Sequence, residues 1–258
     1  MTTSQFILSG WTWNPAVLVT GACSLVIYVA AFRDHRRLGW FTAALVVFLL
    51  ALLSPLNTLA DGYLFSAHMA QHILLLLIVP AFLLLSLPRT LSLAAGPRVL
   101  AHPLLGWFAG VGAMWFWHAP ALCNAAVASR PVHALQTVSL LVTGSLFWRQ
   151  ILAPREEECL SPPRAIFYLF SACVACSVLG IIITFSPVTV CSIYSMPPDD
   201  HLGMLQTIRT GWGFSPERDQ QIGGLLMWVP MCLIYVTAIL AQMARWFAQP
   251  TSPTAERT

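Results

Sequence analysis

The chain alternates long apolar stretches with short polar connections. Seven stretches are long enough to cross a bilayer, at approximately 15–32, 38–56, 66–87, 103–122, 131–152, 165–187 and 221–246. A transmembrane helix needs about 20 mostly apolar residues. The pattern therefore predicts an all-α, polytopic membrane protein, a bundle of seven transmembrane helices. Pro15, Pro103 and Pro131 fall near predicted helix starts, where a missing N–H costs little. Pro80 and Pro230 fall inside spans and predict kinks. Trp11, Trp13, Trp40, Trp107, Trp148 and Trp246 gather toward span ends, as an aromatic belt would.

Composition agrees with the pattern. The 258 residues are 57% hydrophobic and 9% charged, against roughly 25% charged in a soluble domain. A net charge of +3 is too small to argue for a nucleic-acid partner. Seven cysteines, odd in number and scattered, do not read as a disulfide framework. The N-terminus has no basic n-region and no clear cleavage site, so no removable signal peptide is expected. The predicted organisation is an outer segment at 1–14, a membrane domain at 15–247 with a long outer loop at 188–220, and a disordered cytoplasmic tail at 248–258.

All 13 basic residues are arginine, and their distribution sets an orientation. Arg33, Arg36, Arg37, Arg89, Arg98, Arg149, Arg155, Arg164, Arg245 and Arg257 share one predicted side. Only Arg130, Arg209 and Arg218 fall on the other. By the positive-inside rule the N-terminus is outside and the C-terminus inside.

The histidines then fall on the outer side. His68 and His72 open span three, His118 closes span four and His133 opens span five. His35 and His102 lie on the arginine-rich side, and His201 lies in the outer loop. His68 and His72 are i,i+4 and share one helix face. Met114 and His118 repeat that spacing, as do Met227 and Met231. Imidazole with thioether suits copper, and thioether favours the cuprous state. The pair His68 and His72 reads as metal ligands. For His118 and His133, ligand and structural hydrogen-bonding readings both stand. His201 reads as a solvated loop residue, and Met227 and Met231 read as packing. Cys173 and Cys176 form a CVAC pair among small residues, where helix packing is the simpler role. Cys191 is placed outside, as a free thiol or a metal donor. Asp219 opens span seven, either hydrogen-bonding a ligating imidazole or capping a helix. Glu156, Glu157 and Glu158 read as a solvated cytoplasmic loop.

Three segments carry a family resemblance: HMAQHILLLLIVPAFLLL, WFWHAPALCNAAVASRPVHALQTVSLLVTGSLFW and DQQIGGLLMWVP. In this order they resemble the CtaG-type cytochrome c oxidase assembly factors associated with caa-type oxidases. The match runs from about residue 60 to 240. Matching positions are His68, Gln71 and His72; then His118, Pro120 and His133; then Asp219, Gln220, Gly223, Gly224, Met227 and Trp228. Two departures stand out. A Glu-His pair usual after the position of His133 is replaced here by Leu135, Gln136 and Thr137. A proline pair of the first motif reads Pro80, Ala81. The resemblance implies a multi-pass protein of the bacterial plasma membrane that helps assemble cytochrome c oxidase, with an oxidase subunit as partner.

The expected function is a non-enzymatic assembly factor. It would bind copper, as Cu(I), through His68, His72, His118 and His133 in the outer leaflet and hand it to the oxidase. Asp219, Gln71, Met114 and Met227 are its supporting residues. Two other classes remain open: a haem-binding electron-transfer protein using His72 with His118 or His133, and a seven-span zinc hydrolase. The hydrolase would need a carboxylate base, with Asp219 or Asp61 as candidates.

Overall fold

The structure, a computed structural model, describes residues 2–32, 35–93, 98–197, 200 and 202–248. His201 and all but the first residue of the expected 248–258 tail lie outside the described residues. Every regular element among the described residues is helical.

Local chemistry sets most helix starts. α1 (Thr3–Ser9) opens with a capping box in which Thr2 and Gln5 satisfy each other's backbone N–H groups. Asn14 caps α2 (Pro15–Ala31), which is followed by α3 (Leu38–Leu53). Ser54 caps α4 (Pro55–Ala60), whose first position is a proline. α5 (Phe65–Ile73) passes through a π turn (Leu74–Ile78) into α6 (Val79–Ser86). Pro80, which has no N–H to bond backward, sits just after that turn. The expected disturbance thus takes the form of a π turn within one continuous helical run.

The stretch expected as a single span at 103–122 is interrupted. α7 (Pro103–Trp117) stops, and α8 (Pro120–Ala128) begins after Ala119, which is extended (φ −60°, ψ 129°). A residue before proline is sterically driven out of the helical region, and Pro120 imposes that on Ala119. The remaining helices are α9 (Arg130–Leu152), α10 (Pro162–Phe185) and α11 (Pro216–Phe247).

Three helical runs are long and apolar enough to cross a membrane: Phe65–Ser86, Pro162–Phe185 and Pro216–Phe247. Pro15–Ala31 and Leu38–Leu53 are shorter apolar helices. The outer surface of the bundle is strongly apolar. Phe108, Phe167, Phe170, Leu233 and Leu240 are each more than half exposed, as side chains facing lipid would be.

The main core joins α5, α7, α9, α10 and α11 around Met69, Met114, Phe147, Leu169, Met227 and Tyr235. A smaller core sits at the end where α5 begins. There Phe6 of α1 packs with Tyr63, Leu64, Met204 and Ile208, so the 188–220 segment is largely packed down. Arginines tie the connections at the opposite end. Arg37 donates to the carbonyls of Leu85 and Leu87, Arg149 to that of Leu93, and Arg155 to that of Thr90.

The π turn brings α9 very close. A Cβ on Gly144 would collide with the Leu76 carbonyl and sit 2.9 Å from Pro80 Cγ, whereas a Cβ on Gly112 meets nothing within 4 Å. Gly144→Ala is therefore expected to destabilise the bundle by about 1–3 kcal/mol through overpacking. Gly112→Ala should be neutral or slightly stabilising, since alanine is the better helix former. Thermal unfolding of both variants in detergent, beside the unmodified chain, checks this difference.

Candidate functional site

The first turns of α5 carry His68 and His72 on one face, and their rings stand 4.4 Å apart, centroid to centroid. His118 occupies the C-terminal cap of α7, where the Pro120 break releases it to turn inward. Its ring meets that of His72 edge to face at 5.2 Å. His133 lies in the first turns of α9, 6.0 Å from His68. Four histidines from three helices thus form one chain of rings in the order 133, 68, 72, 118. His102, at the other end of α7, only caps that helix by accepting from the Leu104 N–H.

Burial changes in one step along the chain of rings. His133 keeps 20% side-chain exposure, and its Nδ1 lies 3.8 Å from an Asp61 carboxylate oxygen. His68, His72 and His118 are 1%, 2% and 4% exposed. Both ring nitrogens of His68 and both of His72 lack a hydrogen bond of good geometry, and the side-chain amide of Gln136, its nitrogen also unpaired, lies beside His72. Buried polar groups are nearly always paired. Each neutral imidazole carries one donor and one acceptor, so two donors and two acceptors are left unmatched in the interior. His118 is different: its Nδ1 meets the Met114 carbonyl at 2.5 Å and its Nε2 meets Met69 Sδ at 2.9 Å.

These donors fit a borderline or soft ion better than a hard one, because imidazole and thioether dominate and the nearest carboxylate is at the exposed end. A metal–imidazole bond of about 2.0–2.1 Å leaves rings that share one ion within about 6.5 Å of each other, and all three ring separations fall inside that limit. As they stand, no three His, Cys, Asp or Glu side chains among the described residues converge to hold an ion. The edge-to-face contact of His72 and His118 leaves no slot for a porphyrin plane between them.

The supporting residues act differently from expectation. Asp219 bonds no imidazole. Its carboxylate, 1% exposed, accepts the N–H groups of Phe65 at 2.7 Å and Ser66 at 3.0 Å, the first two of α5. The α5 N-cap residue, Leu64, has no side chain able to do this, so α11 supplies the cap. Asp219 is thereby engaged in capping α5 rather than in meeting an imidazole. Gln71 points away from the rings, donating to the Ala51 carbonyl at 2.6 Å and to Asn57 Oδ1 at 3.0 Å. Met114 contributes its carbonyl to His118 while its side chain stays in the core, and Met227 is core packing. Gln220 donates to the Ile183, Ser186 and Val188 carbonyls and accepts the Val190 N–H, closing the end of α10. Gly223 and Gly224 have no room for a Cβ, against Phe65 and Thr184 respectively. The DQQIGG segment is thus a set of caps and close approaches that fixes α5.

Two features escaped sequence reasoning. Cys191 is joined to Cys123 by a disulfide, with Cα atoms 5.8 Å apart. Cys123 stands just past the predicted end of span four, so both cysteines belong to the histidine end. The loop behind this bridge lays Tyr194 over the site. Its ring is 6.1 Å from His68, and its hydroxyl donates to the Ala60 carbonyl. The second missed residue is Met69, which lies three positions before His72 and so shares its face. Cys173 and Cys176 play no part here. Cys173 meets Cys232 of α11 at 3.2 Å, and Cys176 lies 3.9 Å from the Tyr235 hydroxyl.

A family model described as cytochrome c oxidase caa3 assembly factor (Caa3_CtaG) matches residues 25–249. Similar curated proteins include an uncharacterized protein of Mycobacterium leprae, 25% identical over 271 residues, and one of Mycobacterium bovis, 24% identical over 279 residues. The matches cover 93% and 94% of this chain but 40% of each relative, so the chain spans well under half the length of those proteins. No solved structure matches.

Removing the charge from the cap tests its importance. Asp219→Asn should lower stability by about 1–3 kcal/mol, since charge-assisted bonds to two buried N–H groups weaken, and Asp219→Ala should lower it further. Thermal melts in detergent measure both, and an unchanged melting temperature for the alanine variant would contradict the capping role.

Proposed function

Because the chain belongs to the cytochrome c oxidase caa3 assembly factor family, we propose that it is a membrane-embedded carrier. It holds copper, as Cu(I), at the His68–His72–His118–His133 cluster and passes it to an oxidase subunit during assembly. The observation that carries this reading is the set of four buried, unpartnered ring nitrogens on His68 and His72. Nothing in helix packing calls for two imidazoles there, and each unsatisfied group costs about 1–3 kcal/mol. A cation taken up by those nitrogens would repay that cost, and a site with few fixed partners releases its cargo readily.

In the same reading the chain crosses the plasma membrane seven times, with the N-terminus and the histidines outside and the C-terminus inside. Two independent features support it. The arginine-rich connections lie at the end away from the histidines, as positive-inside bias requires. The Cys123–Cys191 disulfide lies at the histidine end, and disulfides persist on the oxidising side of a membrane. His133 and Asp61 form the mouth. Asp61 also lines an open cavity of 540 Å³ with Thr58, Tyr63 and Arg130, which gives copper a way in and a partner subunit a place to collect it.

The test is metal analysis of protein purified without oxygen, wild type beside His68→Ala/His72→Ala. Copper should accompany the wild type and be lost from the double variant. An unchanged copper content in a folded double variant would refute the assignment. Cells carrying the double variant should also accumulate caa-type oxidase deficient in copper.

A further inference from the structure

Met69 is 0% exposed and packs in the main core, where a methionine ordinarily serves as an adaptable gap filler. Its sulfur is not placed for that. Met69 Sδ lies 2.9 Å from a single ring atom, His118 Nε2, well inside the roughly 3.5–4.0 Å at which non-bonded heavy atoms pack best. The bonding of the other ring nitrogen decides what this contact is. His118 Nδ1 faces the Met114 carbonyl at 2.5 Å. A carbonyl oxygen can only accept, so Nδ1 carries the hydrogen. In the neutral ring Nε2 then presents a lone pair. Thioether sulfur is also an acceptor. Two lone pairs therefore confront each other with no hydrogen between them.

A cation shared by both atoms resolves that confrontation. A proton would do so only by making His118 a buried imidazolium. His68 and His72 are its ionisable neighbours, and Asp61 and Asp219 are engaged elsewhere, with His133 and with the N-terminus of α5. A metal ion instead uses the lone pair of each atom, and His72, whose ring nitrogens are also unpartnered, has its ring 5.2 Å from that of His118.

Resting on the copper reading above, we propose that Met69 is itself a ligand. With His118 and His72 it forms a soft inner end of the site that takes Cu(I) in preference to divalent ions. The donors are thereby graded. Carboxylate and imidazole stand at the mouth, at Asp61 and His133. Imidazole alone follows at His68, and imidazole with thioether lies innermost. Soft ligands select the cuprous ion, so the inner end discriminates against zinc, which the mouth alone would accept.

The test uses the full chain in detergent, loaded with Cu(I) under anaerobic conditions and examined by X-ray absorption at the copper edge. The wild type should show a sulfur neighbour alongside nitrogen neighbours. Met69→Leu, a near-isosteric change, should lose the sulfur signal and weaken Cu(I) binding by at least about 10–100-fold, the range seen when a group that only supports a ligand is removed. Its affinity for Zn(II) should change little. Met69→Cys should restore a sulfur neighbour, and Met114→Leu should keep it. A wild-type spectrum with nitrogen and oxygen neighbours only would overturn the proposal without needing any variant, as would a sulfur signal that survives in Met69→Leu. Copper binding lost in His68→Ala/His72→Ala but carrying no sulfur in the wild type would leave the carrier reading standing and remove Met69 alone. A wild type that takes up no copper would remove both.

Discussion

The whole site hangs on one carboxylate. Asp219 is buried in the first turn of α11 and accepts the first two N–H groups of α5. It thereby stands at the positive ends of two helix dipoles at once. This sets the height of α5 against α11, and with it the height of His68, Met69 and His72, all within two turns of the capped end. Gly223 lets Phe65 and Met69 press directly on α11, and Gly224 does the same for the end of α10. Gln220 closes α10 beside it. A motif expected to lend a supporting residue to the imidazoles is instead the frame that positions them.

That frame makes the unpartnered histidines informative. A bundle that satisfies the N-terminus of α5 with a buried carboxylate, and the end of α10 with a buried amide, has the means to satisfy polar groups. It leaves four nitrogens of His68 and His72 unmatched all the same, half of the unpaired buried side-chain polar atoms among the described residues, with Gln71 Oε1 and Gln136 Nε2 among the rest. Set against a typical net stability of about 5–15 kcal/mol, several such groups are a substantial concession, of the kind proteins make at functional sites. Tyr194, fastened by Ala60, Arg209 and the disulfide behind it, covers the cluster at that end of the bundle. Only His133 is left partly exposed.

Much of this was legible in the chain itself. Apolar length and arginine placement marked out the helices, and the i,i+4 spacing of His68 and His72 put two rings on one face. Alternation of helix direction brought His118 and His133 to the same end. The parts that were not legible depend on contacts between distant segments. Asp219 sits 154 positions from Phe65, and no local pattern distinguishes a residue that caps its own helix from one that caps another. Cys123 falls just beyond the stretch expected as span four, which runs through the break at Pro120, and nothing local marks its pairing with Cys191. Met69 was hidden by its neighbours: in HMAQH the histidines draw attention, while methionine in an apolar helix has an ordinary explanation. The contact with His118 Nε2 removes that explanation.

The buried end of the histidine chain is proposed to be a copper site. The most direct measurement is an anomalous difference map from crystals of the Cu(I)-loaded protein, with data collected on both sides of the copper absorption edge. A copper site there predicts a peak within bonding distance of His72 and His118, on the Met69 side. A peak confined to the exposed end near Asp61, a peak elsewhere in the bundle, or no peak from fully loaded protein would contradict it.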